Sequence, residues 1–216
     1  MSIFSFFSRG KNKKEATPEK PVPAPEIAPD FKSVIAKLAK YSKKPLQRLP
    51  AIDPEDSFAI EGEFHEGYLA LIPDQDTATA AALEFKAEIK GSAYRAFVFD
   101  GNEDGLLGVG LIKADSELDI LRYRCTNAYN YDLGPEEVLA KIEDLDKRLG
   151  VTVVGCAMDW VELRFDKLPE DMDAFADEIY EFCPDSVDQG VGDIASLKEA
   201  ITDMQGIFLC GSSRSA

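Results

Sequence analysis

A short polar turn in the first half of the chain carries oxygen-bearing side chains at alternate positions. It matches the first half of a calcium-binding loop, where alternate oxygens hold the ion and a glycine lets the chain bend. The residues that match are Asp100, Asn102, Asp104 and Gly105. The position that should supply a bidentate glutamate is Leu111. The sequence therefore favours a polar hairpin turn, with the first three residues as weak metal-ligand candidates and no cofactor expected.

The most distinctive stretch is residues 182–190, where a proline stops a helix and two acids follow in a loop. Asp185 and Asp188 are candidates for binding a basic partner or a metal ion. The alternative is a shaped connection between helices, with either acid acting as a local cap. Cys183 is a poor nucleophile candidate, because the carboxyl end of a helix raises a thiol pKa and no histidine lies near it in sequence.

No combination of residues in the chain specifies a reaction. His65 is the one histidine, and it lies in a predicted polar turn, His65-Glu-Gly67, that suggests no activation. The chain contains no P-loop, complete dinucleotide fingerprint or nucleophile elbow, and no acid–base pair can be singled out among 40 acidic residues. Four cysteines spaced about thirty residues apart, without a C-x-x-C pair, favour reduced core thiols over zinc or a disulfide. We therefore assign no catalytic residue.

The aromatic segment 123–131 is rich in side chains that combine apolar area with a polar tip, a type favoured at protein interfaces. Tyr129 and Tyr131 are its candidate exposed anchors for a protein partner. Ordinary packing at a strand end is the alternative.

Charge is distributed unevenly along the chain. The net charge is −16, but residues 1–50 carry eleven basic and four acidic residues, whereas the remainder carries 13 and 36. The acidic body disfavours nucleic acid and favours a basic partner or plain solubility. Prolines at five positions predict an extended linker over residues 15–29. The apolar and basic residues before it could make a weak membrane contact, although a frayed terminus is the favoured interpretation.

Beyond this arm, short apolar runs alternate with amphipathic stretches. Three- and four-residue spacing of apolar side chains predicts a helix from Asp30 that ends before Pro45. Later runs predict strands over 58–64 and 68–72, a helix over 77–90, and strands over 94–99 and 106–112. The second half predicts a strand over 118–125, a helix over 135–149, strands over 151–158 and 160–165, helices over 169–182 and 194–204, and a strand over 207–210.

The predicted fold class is α+β, with two β-α-β-β type units, the C-terminal one resembling a split βαβ (ferredoxin-like) sandwich. The expected organisation is a disordered basic, proline-rich arm (1–29), a helix and connection (30–54), a first α+β unit (55–115), a second domain (116–211) and a disordered tail (212–216).

Three segments of the second half carry a family resemblance, namely residues 129–142, 168–171 and, above all, 178–190 with the sequence EIYEFCPDSVDQG. They resemble the bacterial family called domain of unknown function 4253, most clearly over residues 125–210. The resemblance assigns no site residue and implies a bacterial, cytoplasmic setting. Small acidic bacterial domains of this kind often resemble immunity proteins, which occupy a toxin's active site by matching its positive surface.

These observations predict a non-enzymatic acidic binding protein, in the first place an immunity protein that neutralises a basic antibacterial toxin. The expected partner is a basic protein and not a nucleic acid. Two alternatives stay open. One is a carboxylate- or metal-dependent enzyme that uses the loops at 100–105 and 185–188, and the other is an adaptor tethered to a membrane through the N-terminal arm.

Overall fold

The computed structural model describes residues 29–101 and 105–210. Within these residues the α-helices are α1 (Pro29–Leu38), α2 (Gln75–Glu88), α3 (Leu118–Arg124), α4 (Pro135–Leu149), α5 (Met172–Phe182) and α6 (Ile194–Met204). The strands are β1 (Gln47–Ile52), β2 (Ala59–Leu71), β3 (Tyr94–Asp100), β4 (Leu107–Lys113), β5 (Val151–Cys156), β6 (Trp160–Phe165) and β7 (Gly206–Cys210). The predicted arm, except for its last residue, and the predicted tail lie outside the described residues.

All seven strands belong to one mixed sheet in the order β1-β2-β4-β3-β5-β6-β7. Neighbouring strands run antiparallel except for β3 and β5, which pair in parallel and join the two halves of the chain. The α+β class is therefore confirmed. In the part of the chain that the structure describes, no helix has both the length and the apolar character needed to cross a membrane.

Hydrophobic cores cover both faces of the sheet, as the alternation of side chains along a strand requires. Phe97 and Phe99 of β3 pack on one face with α3, α4, α5 and α6. Ala96 and Val98 of the same strand pack on the other face with α1 and α2. The second face is covered mainly by the first half of the chain, and β7 forms one edge of the sheet.

The joint between the two halves is short and is reinforced by side chains. β3 and β5 share only two paired positions, Val98 with Gly155 and Phe99 with Cys156. Beyond these pairs, the Glu117 carboxylate accepts a hydrogen bond from the Val153 N–H (3.0 Å) and from Lys86 Nζ (2.7 Å). Lys86 also donates to the Ala96 carbonyl (2.7 Å). This partly buried ion pair therefore supplies hydrogen-bond partners to main-chain groups of β3 and β5 beyond their two paired positions.

The separate strands predicted at 58–64 and 68–72 are one continuous strand, β2. The glycine read as part of a turn, Gly67, serves close packing instead. A Cβ atom there would lie 2.5 Å from the Leu111 carbonyl oxygen and 2.6 Å from a methyl group of Leu49. Only a residue without a side chain fits between these neighbours.

Two further segments differ from the prediction. β1 lies inside the stretch expected to be a connection, and its Pro50 is tolerated because β1 is the other edge strand of the sheet. The segment predicted as a strand at 118–125 is the helix α3. Asp119 accepts the N–H groups of Asp115 and Ser116 (both 2.9 Å) at its start, and Cys125, at φ 54°, ends it. Within residues 116–210, the described part of the predicted second domain, the α-helices α3 and α4 precede the first strand, β5. The first strand of the expected split βαβ sandwich is therefore absent from these residues.

Candidate partner-binding surface

The distinctive segment 182–190 forms an ordered turn between α5 and α6. The chain leaves α5 through Pro184, which has no N–H group to continue a helix. The N–H groups of Val187 and Asp188 both donate to the Pro184 carbonyl oxygen at 2.9 Å. They open a π-helical turn, Ser186–Val191. Such turns are rare and are frequent at functional sites.

This π-helical turn lies beside the free edge of β7. The register with β6 directs the main-chain groups of Phe208 and Cys210 outward from the sheet. The Ser186 hydroxyl donates to the Phe208 carbonyl oxygen (3.3 Å), and the Cys183 thiol donates to the Cys210 carbonyl oxygen (3.0 Å). Side chains of the turn therefore occupy carbonyl groups that an added strand would use. Cys183 is buried and has a structural role here.

A cavity of about 290 Å³ lies between the π-helical turn, α6 and β7. Its wall is mostly apolar and includes Leu197, Ala200 and Met204 of α6 and Phe208 of β7. Asp185 is the charged residue that lines it. Cavities of this size are at the lower end of the range for small-molecule sites, so this one is suited to a single side chain.

Asp185 is a buried carboxylate, with 7% of its surface exposed. The Asn130 amide donates a long hydrogen bond to its carboxylate (3.5 Å). Burial and the nearby Asp185 carboxylate raise the pKa of the Tyr131 hydroxyl. The structure therefore brings together two residues that were predicted separately as partner-binding candidates. Tyr131 is half-buried instead of fully exposed, because it packs against the hydrophobic core.

The other two candidates, Tyr129 and Asp188, lie on the surface. Tyr129 is 47% exposed and donates from its hydroxyl to the Glu55 carbonyl oxygen (2.9 Å). Asp188 is exposed and accepts a long hydrogen bond from the Tyr180 hydroxyl (3.4 Å). Asp193 caps α6, and Asp185 occupies the N-cap position of the π-helical turn without a capping hydrogen bond from its side chain.

The helices around the cavity are strongly acidic. Residues 169–210 contain eleven acidic residues and one basic residue, Lys198, which pairs with Asp173 (2.6 Å). Nine of the acids are exposed, namely Glu170, Asp171, Asp173, Asp177, Glu181, Asp188, Asp193, Glu199 and Asp203. Such a concentration of one sign of charge produces a negative potential that attracts basic partners. We call these nine residues the acidic face.

The comparisons with known proteins agree with the resemblance of the second half. Residues 108–210 match the family model described as Domain of unknown function (DUF4253). We call residues 108–210 the DUF4253 domain after this match. No curated protein and no solved structure matches the chain. The π-helical turn, the cavity and the acidic face all lie within the DUF4253 domain.

The proposed calcium-like turn lies just before the DUF4253 domain. Asp100 ends β3, and its carbonyl oxygen accepts long hydrogen bonds from the Arg124 guanidinium (3.3 and 3.4 Å). Asn102 and Asp104 lie outside the described residues. Within residues 29–101 and 105–210, no group of three or more histidines, cysteines or carboxylates is arranged to hold a metal ion. The metal-ligand prediction for this turn stays a prediction.

His65 is placed inside β2 instead of in a turn. Its Nδ1 accepts the N–H of Gly67 (3.1 Å), and its ring lies 4.5 Å from the ring of Tyr123. Tyr123 in turn donates from its hydroxyl to the Pro50 carbonyl oxygen (2.9 Å). Burial is the main cause that lowers the pKa of His65. The neutral imidazole therefore acts as a structural acceptor between β1, β2 and α3.

We expect the free energy of unfolding to decrease when the pH falls below the ordinary pKa of histidine. The folded-state pKa is lower than the unfolded-state value of 6.5. The unfolded chain therefore binds the proton first, and this contribution to stability is lost as the pH falls through the folded-state pKa. Urea denaturation between about pH 5.5 and pH 7.5 measures the change. The variant His65→Gln, whose amide oxygen can still accept from Gly67, should lose this part of the pH dependence. An NMR pKa of the imidazole at or above that of free histidine would contradict the assignment.

Sequence reasoning found the acids and tyrosines of this surface but missed its cavity. Leu197, Ala200 and Met204 follow the apolar spacing of an ordinary amphipathic helix, so nothing in their pattern indicates a cavity wall. Phe208 departs from the expected pattern. A large aromatic residue in a short final strand is expected to be buried, but Phe208 is 39% exposed at the cavity.

Proposed function

We propose that this protein is a non-catalytic binding protein for a basic polypeptide, and that its role is that of an immunity protein which neutralises a basic antibacterial toxin. The observation that carries the proposal is the acidic face around an apolar cavity in the DUF4253 domain. Apolar area at the centre and charge around it is the arrangement that protein interfaces use. The negative potential would accelerate association with a basic partner and discriminate against acidic ones.

The acidic face has few internal ion pairs. The basic side chains that reach it from the described residues contact Asp173, through Lys198, and the partly buried Glu178, through Lys141 and Arg148. The acids near the cavity, Asp188 and those of α6, have no ion pair among residues 29–101 and 105–210. Their charge is therefore available to a partner at little cost in broken contacts.

Reversal of three acids beside the cavity should remove binding without harming the fold. The variant Asp188→Lys/Glu199→Lys/Asp203→Lys changes exposed side chains only. A matched control carries the same change in net charge on the first half of the chain, at the exposed residues Glu61, Glu63 and Asp76. We expect the first variant to lose roughly 100-fold in affinity for the partner and the control to keep it within a few-fold.

The experiment begins with affinity capture by the tagged wild-type chain from a lysate of its source, in parallel with both variants. The expected result is one polypeptide rich in lysine and arginine that the wild type and the control retain and the first variant loses. Expression of that polypeptide alone should arrest growth, and co-expression of the wild-type chain should restore it. Equal retention by all three chains would remove the acidic face from the interface. A captured polypeptide that is not toxic would overturn the immunity role.

A further inference from the structure

We propose that the cavity between the π-helical turn, α6 and β7 receives one lysine or arginine side chain of the partner, with Asp185 as the carboxylate that binds its charged end. The inference rests on the proposed function and names the chemistry that the cavity selects. A basic side chain has an aliphatic stem and a cationic tip, so it needs an apolar wall and an acceptor. The cavity supplies both.

The apolar wall is formed by side chains of α6 and β7 that leave no hydrogen-bonding group to satisfy. Leu197 is buried, and Ala200 and Met204 are half-buried at the same helix face. Phe208 stacks on Trp160, with ring centroids 5.3 Å apart, and presents its partly exposed ring to the cavity. An aliphatic stem that enters the cavity therefore removes apolar surface from water on both sides.

Asp185 is buried and keeps most of its hydrogen-bonding capacity free for a partner. The Asn130 amide is the donor to its carboxylate, over 3.5 Å, and Tyr131 lies beside it. A carboxylate has about four lone-pair sites, so capacity remains for an ammonium or guanidinium group. Within the described parts of the chain, no lysine or arginine forms an ion pair with Asp185. A buried carboxylate without a cation gains more from an external one than a surface carboxylate does.

The surroundings of the cavity favour a side chain from a polypeptide and disfavour an added β-strand. The outward carbonyl groups of Phe208 and Cys210 accept hydrogen bonds from Ser186 and Cys183, so a strand cannot pair along this part of β7. Three acids of the acidic face, Asp188, Glu199 and Asp203, lie on the π-helical turn and α6, which form the cavity, and they match a partner surface with several basic residues. The occupant is therefore one basic side chain within a basic patch of a protein.

The direct test is an NMR titration of the full-length protein with N-butylguanidinium and with N-butylurea, its neutral counterpart of the same shape. We expect saturable shifts of the amide signals of Val191, Leu197, Ile201 and Phe208 with the cation, and at least tenfold weaker binding of the urea. The variant Asp185→Asn, which keeps the shape of the side chain and an acceptor oxygen for Asn130 but removes the charge, should remove this difference. Equal affinity for the two probes in the wild-type protein would overturn the proposal without any variant.

A pair of substitutions on α6 locates the site. Ala200→Phe fills the cavity and should abolish binding of N-butylguanidinium, whereas Ala195→Phe, at an exposed position of the same helix, should leave binding unchanged. Unchanged binding in Ala200→Phe would place the probe elsewhere.

The same variants in the capture experiment separate the two proposals. If charge reversal abolishes capture and Ala200→Phe does not, the cavity assignment fails and the binding function stands. If the cavity binds the probe and no basic polypeptide is captured, the proposed binding function fails and the cavity assignment stands.

Discussion

Replacement of Arg124 by alanine should lower the free energy of unfolding by about 3 kcal/mol, because each buried acceptor that loses its donor costs about 1–3 kcal/mol. Arg124 ends α3 and is 2% exposed. It donates from Nη1 to the Ser57 carbonyl oxygen (2.8 Å), and its guanidinium lies over the Phe99 ring, 5.7 Å from the centroid. It also reaches the carbonyl oxygen of Asp100. Alanine would leave these acceptors buried and without this donor.

The network around Arg124 also holds an unusual backbone conformation. Ser57 is buried and has a φ of 64°, in the left-handed region that a residue with a side chain rarely adopts. Its hydroxyl donates to the Cys125 carbonyl oxygen (2.6 Å) and accepts from the Asn127 amide (2.8 Å). The loop between β1 and β2 therefore depends on α3 and on the residues that follow it.

The control for Arg124 lies two residues earlier in the same helix. Arg122 is exposed and pairs with Asp119 and Glu143, both at 2.7 Å. Because exposed ion pairs contribute little, Arg122→Ala should cost less than about 1 kcal/mol. Urea denaturation followed by Trp160 fluorescence measures both variants. If Arg124→Ala does not fold, Arg124→Lys, which keeps the charge but loses the planar fork, should show an intermediate loss. Equal stability of Arg124→Lys and the wild type would sink the argument.

Local patterns predicted the long helices because the information for them lies within a few residues. In α4, apolar residues recur at three- and four-residue intervals, and the buried ones are Val138, Ile142, Leu145 and Leu149. Asp171 and Asp193 cap α5 and α6 by accepting an N–H three residues later. Helix termini and periodicity of this kind depend little on the rest of the fold.

Elements whose structure depends on distant contacts could not be predicted in the same way. The seven residues of α3 are too few to separate a helical period from a strand period, and tertiary packing decided between them. Gly67 looks like a turn residue in sequence, but the Leu111 carbonyl oxygen that requires it belongs to β4. The sequence therefore predicted the class of the fold and most of its elements, but it did not predict that β2 is one continuous strand or that α3 is a helix.

The candidate site shows the same division. The acidic loop and Tyr131 were predicted from residue types, yet their contact joins positions 54 residues or more apart in the chain, as the pair Asn130 and Asp185 illustrates. Whether an acid is exposed or buried depends on such contacts, so residue types alone could not distinguish Asp185 from Asp188. The structure gives them different roles, since one lines the cavity and the other belongs to the acidic face.

Two glycines that line the cavity should respond in opposite ways to a single methyl group. A Cβ atom at Gly206 would lie 2.1 Å from the Leu163 carbonyl oxygen and 3.0 Å from the Arg164 Cα, both main-chain atoms of β6. Gly206 faces Arg164 at a pair of the β6–β7 ladder where the two main chains approach closely. Alanine must therefore push β7 away from β6, and we expect Gly206→Ala to lower the free energy of unfolding by about 3 kcal/mol.

Gly190 provides the matched control, because a Cβ atom there would meet only the Asp185 carbonyl oxygen at an ordinary 3.5 Å. Gly190→Ala should change stability by less than about 1 kcal/mol, since alanine also restricts the unfolded chain. The π-helical turn and the position of Asp185 should then be preserved. Urea denaturation measures both variants, and N-butylguanidinium binding is expected to weaken in Gly206→Ala, because displacement of β7 moves Phe208 away from α6. A Gly206→Ala variant as stable as Gly190→Ala would show that β7 can shift at little cost, and the wall that it forms would then be too compliant to hold a basic side chain in one position.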